Sequence, residues 1–214
     1  MLTDVVLEPL GGQEATRAVI ILHGLGDNGQ GIMGLGEMMR MAMPNTVFLA
    51  PNAPFPCPYV PGGYQWFSSE DWTPHIILQG AQKAAAPLNE YIDHILETRK
   101  LAPSQVALVG FSQGTMMSLY VAPRRAEALA GVLGYSGALI GGTSLAQEKK
   151  SAPPVLLIHG TSDEVVPFKA MNNALEGLKA AGIEASAMAC PGLGHTVDND
   201  GLRQGVAFLK RVLG

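Results

Sequence analysis

Cysteine is nearly absent. Cys57 and Cys190 are the two present in 214 residues, too few for the disulfide framework that small secreted chains rely on. The opening MLTDVVLEPL lacks the charged start and long apolar stretch of a signal peptide, so a cytoplasmic, reduced protein is expected. Long hydrophobic runs are missing too. None approaches the roughly 20 residues of a membrane span, so stable membrane insertion is not expected. Positive charge is sparse and scattered: 14 Lys and Arg stand against 18 Asp and Glu, a formal net charge of -4. Without a basic stripe, nucleic acid is not expected as a partner. No internal repeat, low-complexity tract or linker-like composition shift interrupts the chain, and one domain over residues 1–214 is expected. No pair of histidines or cysteines has metal-ligand spacing, so no metal site is expected.

What is present is apolar and periodic. Hydrophobic residues make up 47% of the chain. Strand-length runs recur at VVLEP, AVIILH, TVFLAP, VALVGF, LAGVLGYS, PVLLIHG and IEASAMAC, most of the later ones separated by helical spacing. Helices are expected over about 30–43, 76–99 with a kink at Pro87, 113–122, 167–181 closed by Gly182, and 201–213 capped by Asp200. This alternation predicts an α/β fold with a mostly parallel, doubly wound sheet and helices on both faces, in which ligands bind at the carboxyl ends of the strands.

Three residues at such strand ends can work together. Ser112 lies in Gly110-Phe111-Ser112-Gln113-Gly114 between an apolar strand and a helical segment, the context of a nucleophile elbow. A serine hydroxyl needs a base, and the base needs a group that fixes its tautomer. HGTSDEVVP supplies Asp163 after the sixth run, and PGLGHTVDND supplies His195 after the seventh. The order Ser112, Asp163, His195 is that of an α/β-hydrolase triad. Asp27, Asp198 and Asp200 are the competing acids; the last two lie too near His195 in the chain to support it from behind. His23 and His159 end strands and are expected to be buried supports, and His75 and His94 to be solvated.

These motifs, LHGLGD at 22–27, APNAP at 50–54, QWF at 65–67, GFSQG at 110–114, HGTSDEVVP and GLGH, together resemble the carboxylesterase and phospholipase family that includes acyl-protein thioesterases. Within it the chain is most similar to bacterial esterases that carry an elongated PNAPFPCP and GGYQWF loop. The resemblance spans nearly the whole chain. It implies an α/β-hydrolase fold, serine esterase chemistry without a cofactor, a small ester or thioester substrate, and an oxyanion hole from the backbone N–H groups of Leu25 and Gln113. Carboxylesters of small or medium acyl chains are the expected substrates, with a lysophospholipid or an acylated thiol as alternatives. Thr115 departs from the Gly or Ala that many members have there. Oligomeric state is open, and a homodimer is compatible with the sequence.

Two other functions fit the sequence less well. Gly24-Leu25-Gly26-Asp27-Asn28-Gly29 spells a dinucleotide fingerprint, but the next strand ends in Ala50-Pro51-Asn52, where the ribose-binding acid should stand. A catalytically silent binding module would not need all three triad residues. The rings of Phe55, Tyr59, Tyr64, Trp66, Phe67 and Trp72 crowd one proline-rich loop, which is expected to anchor itself by aromatic packing, with Tyr64, Trp66 and Phe67 walling an acyl pocket. Met33, Met38, Met39, Met41 and Met43 are expected to form a core-facing stripe. Only residues 137–153 separate the fifth and sixth runs, too few for a cap, so an open site is expected.

Overall fold

A computed structural model describes residues 1–214. In chain order its elements are β1 (Asp4–Leu7), β2 (Arg17–Leu22), α1 (Gly29–Arg40), β3 (Thr46–Pro51), β4 (Phe55–Pro56), β5 (Tyr64–Gln65), α2 (Pro74–Arg99), β6 (Val106–Phe111), α3 (Gln113–Val121), β7 (Gly131–Tyr135), α4 (Leu145–Glu148), β8 (Val155–Gly160), α5 (Lys169–Ala180), β9 (Ala185–Cys190) and α6 (Asn199–Leu213). Seven strands form one sheet in the order β1-β3-β2-β6-β7-β8-β9. All neighbours are parallel except β1, which pairs antiparallel with β3. The fold class expected from the alternating runs is therefore observed.

The central strands β2, β3, β6 and β7 are apolar on both faces because both faces are covered. On one side Ile20, Leu49 and Leu108 pack with Leu88 and Ile92 of α2, Met117 of α3 and Leu178 of α5. On the other, Val19, Phe48 and Val109 pack with Met39 of α1 and Leu209 of α6. Burying each such side chain contributes about 1.5–3 kcal/mol, and together they fix the register that aligns the carboxyl ends of the strands.

Several local expectations are corrected. Asp198, not Asp200, caps α6: its extended backbone lets its carboxylate accept from Gly201 N at 2.7 Å, while Asp200 sits in the first turn and pairs with Arg203. The helix α2 begins at Pro74, two residues before the expected start, and includes Pro87. The methionine stripe is only partly internal. Met33, Met39 and Met43 are buried, but Met38 and Met41 are 57% and 78% exposed, because the core needs only one side of α1. The short β4–β5 hairpin was not anticipated. Between β7 and β8 there is one short helix, α4, and no cap is built there.

Candidate active site

Ser112 leaves β6 and precedes the first turn of α3 with φ 54° and ψ -116°, a strained conformation for a residue with a side chain. The two glycines of its motif allow the corner. A Cβ on Gly110 would stand 2.3 Å from Thr115 N, and one on Gly114 would stand 1.9 Å from the Leu22 carbonyl oxygen. The turn is fastened by Ser112 N–H donating to Tyr135 O at 3.0 Å. Thr115, fully buried, places its hydroxyl 2.7 Å from both the Gly110 and Tyr135 carbonyls. The threonine at this position thus ties the end of β6 to the end of β7 beneath the serine.

Asp163 follows β8, and its side chain is completely buried. One carboxylate oxygen accepts from the backbone N–H groups of Val165 and Val166, at 2.9 and 2.8 Å. The other lies 2.8 Å from His195 Nδ1. Burial pushes the carboxyl up, but the bonds from His195, Val166 and Val165 outweigh it and hold Asp163 below the usual carboxylate range. An ionised Asp163 accepts only, so Nδ1 of His195 carries the proton and Nε2 keeps a lone pair for a substrate-side proton. The imidazole of His195 lies on the ring of Phe111, centroids 4.8 Å apart, and Phe111 is the residue before Ser112. The structure thus brings the acid and the base together, and sets the base beside the elbow.

The loop after β2 closes the other side. A Cβ on Gly24 would sit 3.3 Å from Ser112 Cβ. The backbone N–H of Leu25 and that of Gln113, at the start of α3, donate to no group of the protein. Free N–H groups on both sides of a serine are what an oxyanion requires. No three His, Cys, Asp or Glu side chains gather as a metal site, and the Gly24–Gly29 fingerprint is absorbed by this loop, whose Gly26 is at φ 79°.

Residues 5–213 match the family described as Phospholipase/Carboxylesterase. The chain belongs to the phospholipase/carboxylesterase family. The acyl-protein thioesterase 1 homolog 1 of Dictyostelium discoideum is 29% identical over 203 residues, covering 91% of this chain and 90% of the relative. Carboxylesterase SOBER1 of Arabidopsis thaliana is 29% identical over 216 residues, covering 91% and 90%. Among solved structures, esterase PE8 superposes with a TM-score of 0.94 at 39% identity, covering 99% of both chains. Acyl-protein thioesterase 2 of Zea mays superposes with a TM-score of 0.81 at 26% identity over the whole of both.

In this family member Trp66 and Phe67 pack into the core, as expected of rings that anchor the loop, but not as walls of an acyl pocket. Trp66 and Phe67 are 0% and 1% exposed, so their rings offer no surface to a substrate. They are buried because the loop is pinned through them. Trp66 N–H donates to Gln113 Oε1, Gln113 Nε2 donates to Phe67 O, and Trp66 Nε1 donates to His23 O, each at 3.0 Å. Tyr64 stays half-buried, and its backbone is stitched to the loop after β2: Gly26 N–H donates to Tyr64 O and Tyr64 N–H donates to Asp27 O. Exposed apolar side chains near these loops include Leu25, Val60, which packs over Gly26, and Val165, two residues after Asp163; within the aromatic loop itself Phe55, Tyr59 and Trp72 are also exposed.

Two contributions escaped sequence reasoning. His159, expected as a buried support, places Nε2 2.8 Å from Val166 O and 3.3 Å from Asp163 Oδ2, the same carboxylate oxygen that meets His195. The Gln113 side chain, fully buried beside the nucleophile, holds the aromatic loop. The only sequence signal for either was a polar residue placed against a strand end.

Proposed function

We propose that this member of the family hydrolyses carboxylic esters of small or medium acyl chains, with Ser112 as nucleophile, His195 as general base and then acid, and Asp163 as the group that orients His195. The observation that carries this reading is the 2.8 Å contact between His195 and a buried, ionised Asp163, set against a serine in a strained strand-to-helix corner.

In the first half-reaction Ser112 Oγ bonds to the acyl carbon while its proton passes to His195 Nε2. The carbonyl electrons collect on oxygen, which the N–H groups of Leu25 and Gln113 receive. The bond to the leaving group then breaks, and His195 returns the proton to the departing alcohol. Water, deprotonated by His195, attacks the acyl-enzyme, and Ser112 leaves with a proton. Asp163 remains ionised and keeps the imidazole in one tautomer throughout. The exposed Leu25, Val60 and Val165 suit an apolar acyl or alcohol group, and Tyr64 is the one ring of the expected pocket that retains surface.

The relatives named acyl-protein thioesterases favour a second reading, in which the leaving group is a thiol and the same residues act. The buried, unpaired Cys57 and Cys190 suit a reducing compartment such as the cytoplasm. Initial rates on a matched series of acyl esters and acyl thioesters of graded chain length separate the readings. The ester reading expects higher kcat/KM on short and medium oxygen esters. A uniform preference for long-chain thioesters overturns it in favour of the second.

A further inference from the structure

We infer that His23 is a positioning residue of the oxyanion hole, holding the peptide group whose N–H is that of Leu25 in the orientation that faces the substrate. The inference rests on the serine-hydrolase reading above.

His23 directly follows β2 and is 0% exposed, yet both nitrogens of its ring are used. Ala53 N–H donates to Nε2 at 3.0 Å, and Nδ1 lies 2.7 Å from the Gly24 carbonyl oxygen. A backbone N–H can only donate and a carbonyl can only accept, so one tautomer satisfies both: Nδ1 carries the proton and Nε2 is bare. Burial lowers the basicity of the ring, against smaller opposing effects of the Gly24 bond and Asp27, which keeps this neutral form in place.

The acceptor is the telling atom. The Gly24 carbonyl and the Leu25 N–H belong to the same peptide group, and in a planar trans peptide the two point in opposite directions. A short hydrogen bond that draws the carbonyl towards the buried imidazole therefore turns the N–H away from it. The same chain segment runs against Ser112, as the Gly24 contact shows. Asp27 N–H also donates to the Gly24 carbonyl, at 3.3 Å, and Trp66 Nε1 fixes the His23 carbonyl one residue earlier. Polarisation of the carbonyl by these donors makes the Leu25 N–H a stronger donor in turn. An apolar residue would complete the Ala18–Leu22 run equally well for packing, but could not hold this peptide.

The test compares His23→Asn with His23→Gln. The Asn amide can reach the Gly24 carbonyl in place of Nδ1 but leaves Ala53 N–H unpaired. The Gln amide can accept from Ala53 but cannot serve Gly24. Each variant is brought to equal active-site concentration by titration with a fluorophosphonate. Then kcat, KM and the inhibition constant of a trifluoromethyl ketone are measured with a short soluble ester. Removing an oxyanion donor altogether slows an enzyme about 10²- to 10³-fold, and a misdirected donor loses part of that. The expected result is that His23→Gln loses about 10- to 100-fold in kcat and weakens the ketone by a similar factor with KM changed less than about threefold, and that His23→Asn recovers most of the loss. Equal impairment of the two variants, or kcat and ketone affinity within about twofold of the parent in both, overturns the inference. Ser112→Ala is run alongside: full turnover there removes the serine-hydrolase reading and the inference with it, whereas a silent Ser112→Ala beside an unimpaired His23→Gln removes the inference alone.

Discussion

Replacing Gln113 by leucine removes the amide that holds the aromatic loop while keeping the size of the side chain and the backbone N–H. Gln113 is 1% exposed, so no water can take the place of the lost atoms. Two groups are stranded, the N–H of Trp66 and the carbonyl of Phe67, each bonded to Gln113 at 3.0 Å. A buried polar group left unpaired costs about 1–3 kcal/mol. The added apolar contacts of leucine offset part of this, leaving a loss of about 2–4 kcal/mol. For a domain of this size about 2–4 °C of Tm is lost per kcal/mol, so a fall of roughly 5–15 °C is expected. Differential scanning calorimetry measures it directly. Because the N–H of residue 113 is unchanged, kcat at a temperature where the variant is folded should fall by less than about tenfold. A Tm within about 2 °C of the parent would show that the loop is held by its aromatic packing and not by the Gln113 amide.

The other expected outcomes concern the acid, the low-pH limit and the open site. Asp163→Asn should lower kcat about 10⁴-fold, as loss of the orienting acid does in a triad, whereas Asp198→Ala should leave kcat unchanged and cost about 1 kcal/mol through the lost cap on α6; the reverse ranking in steady-state kinetics would reassign the acid. Asp163 is held below the usual carboxylate range in the folded state, so its contribution to stability is present above the unfolded pKa and is lost as pH falls through the folded one; urea midpoints measured from pH 7 down to pH 2 should fall less steeply in Asp163→Asn than in the parent. With the aromatic loop pinned and no cap between β7 and β8, the rate on an ester should rise smoothly through its solubility limit, and a jump at the appearance of droplets would show that a segment moves as a lid.

Much of the fold was legible because the parallel strands are covered on both faces and so read as unbroken apolar runs. Thr46–Pro51 and Val106–Phe111 coincide with their runs. The edge strand β9, although largely exposed, was legible as the strand-length run IEASAMAC. What the sequence concealed were interactions decided by backbone geometry. Asp198 and Asp200 are equivalent as letters, and only the extended conformation of Asp198 makes it the cap. Trp66 and Phe67 beside a nucleophile suggest a pocket, yet their burial follows from Gln113 and His23, polar partners more than 40 residues away in the chain. His159 was recognisably buried, but its approach to Asp163 depends on the turn that carries Val165 and Val166 back over the carboxylate. The triad order and strand-end placement pointed to Ser112, Asp163 and His195; the geometry adds that acid and base are in contact and that the base leans on Phe111.

The central claim is that Ser112 is the nucleophile, activated by His195. Its most direct test is to treat the protein with a fluorophosphonate and map the adduct by peptide mass spectrometry, with His195→Ala in parallel. The account predicts one adduct per chain, on Ser112, formed together with loss of esterase activity and slowed by several orders of magnitude in His195→Ala. An adduct on another residue that abolishes activity, or full activity with Ser112 quantitatively modified, would contradict it.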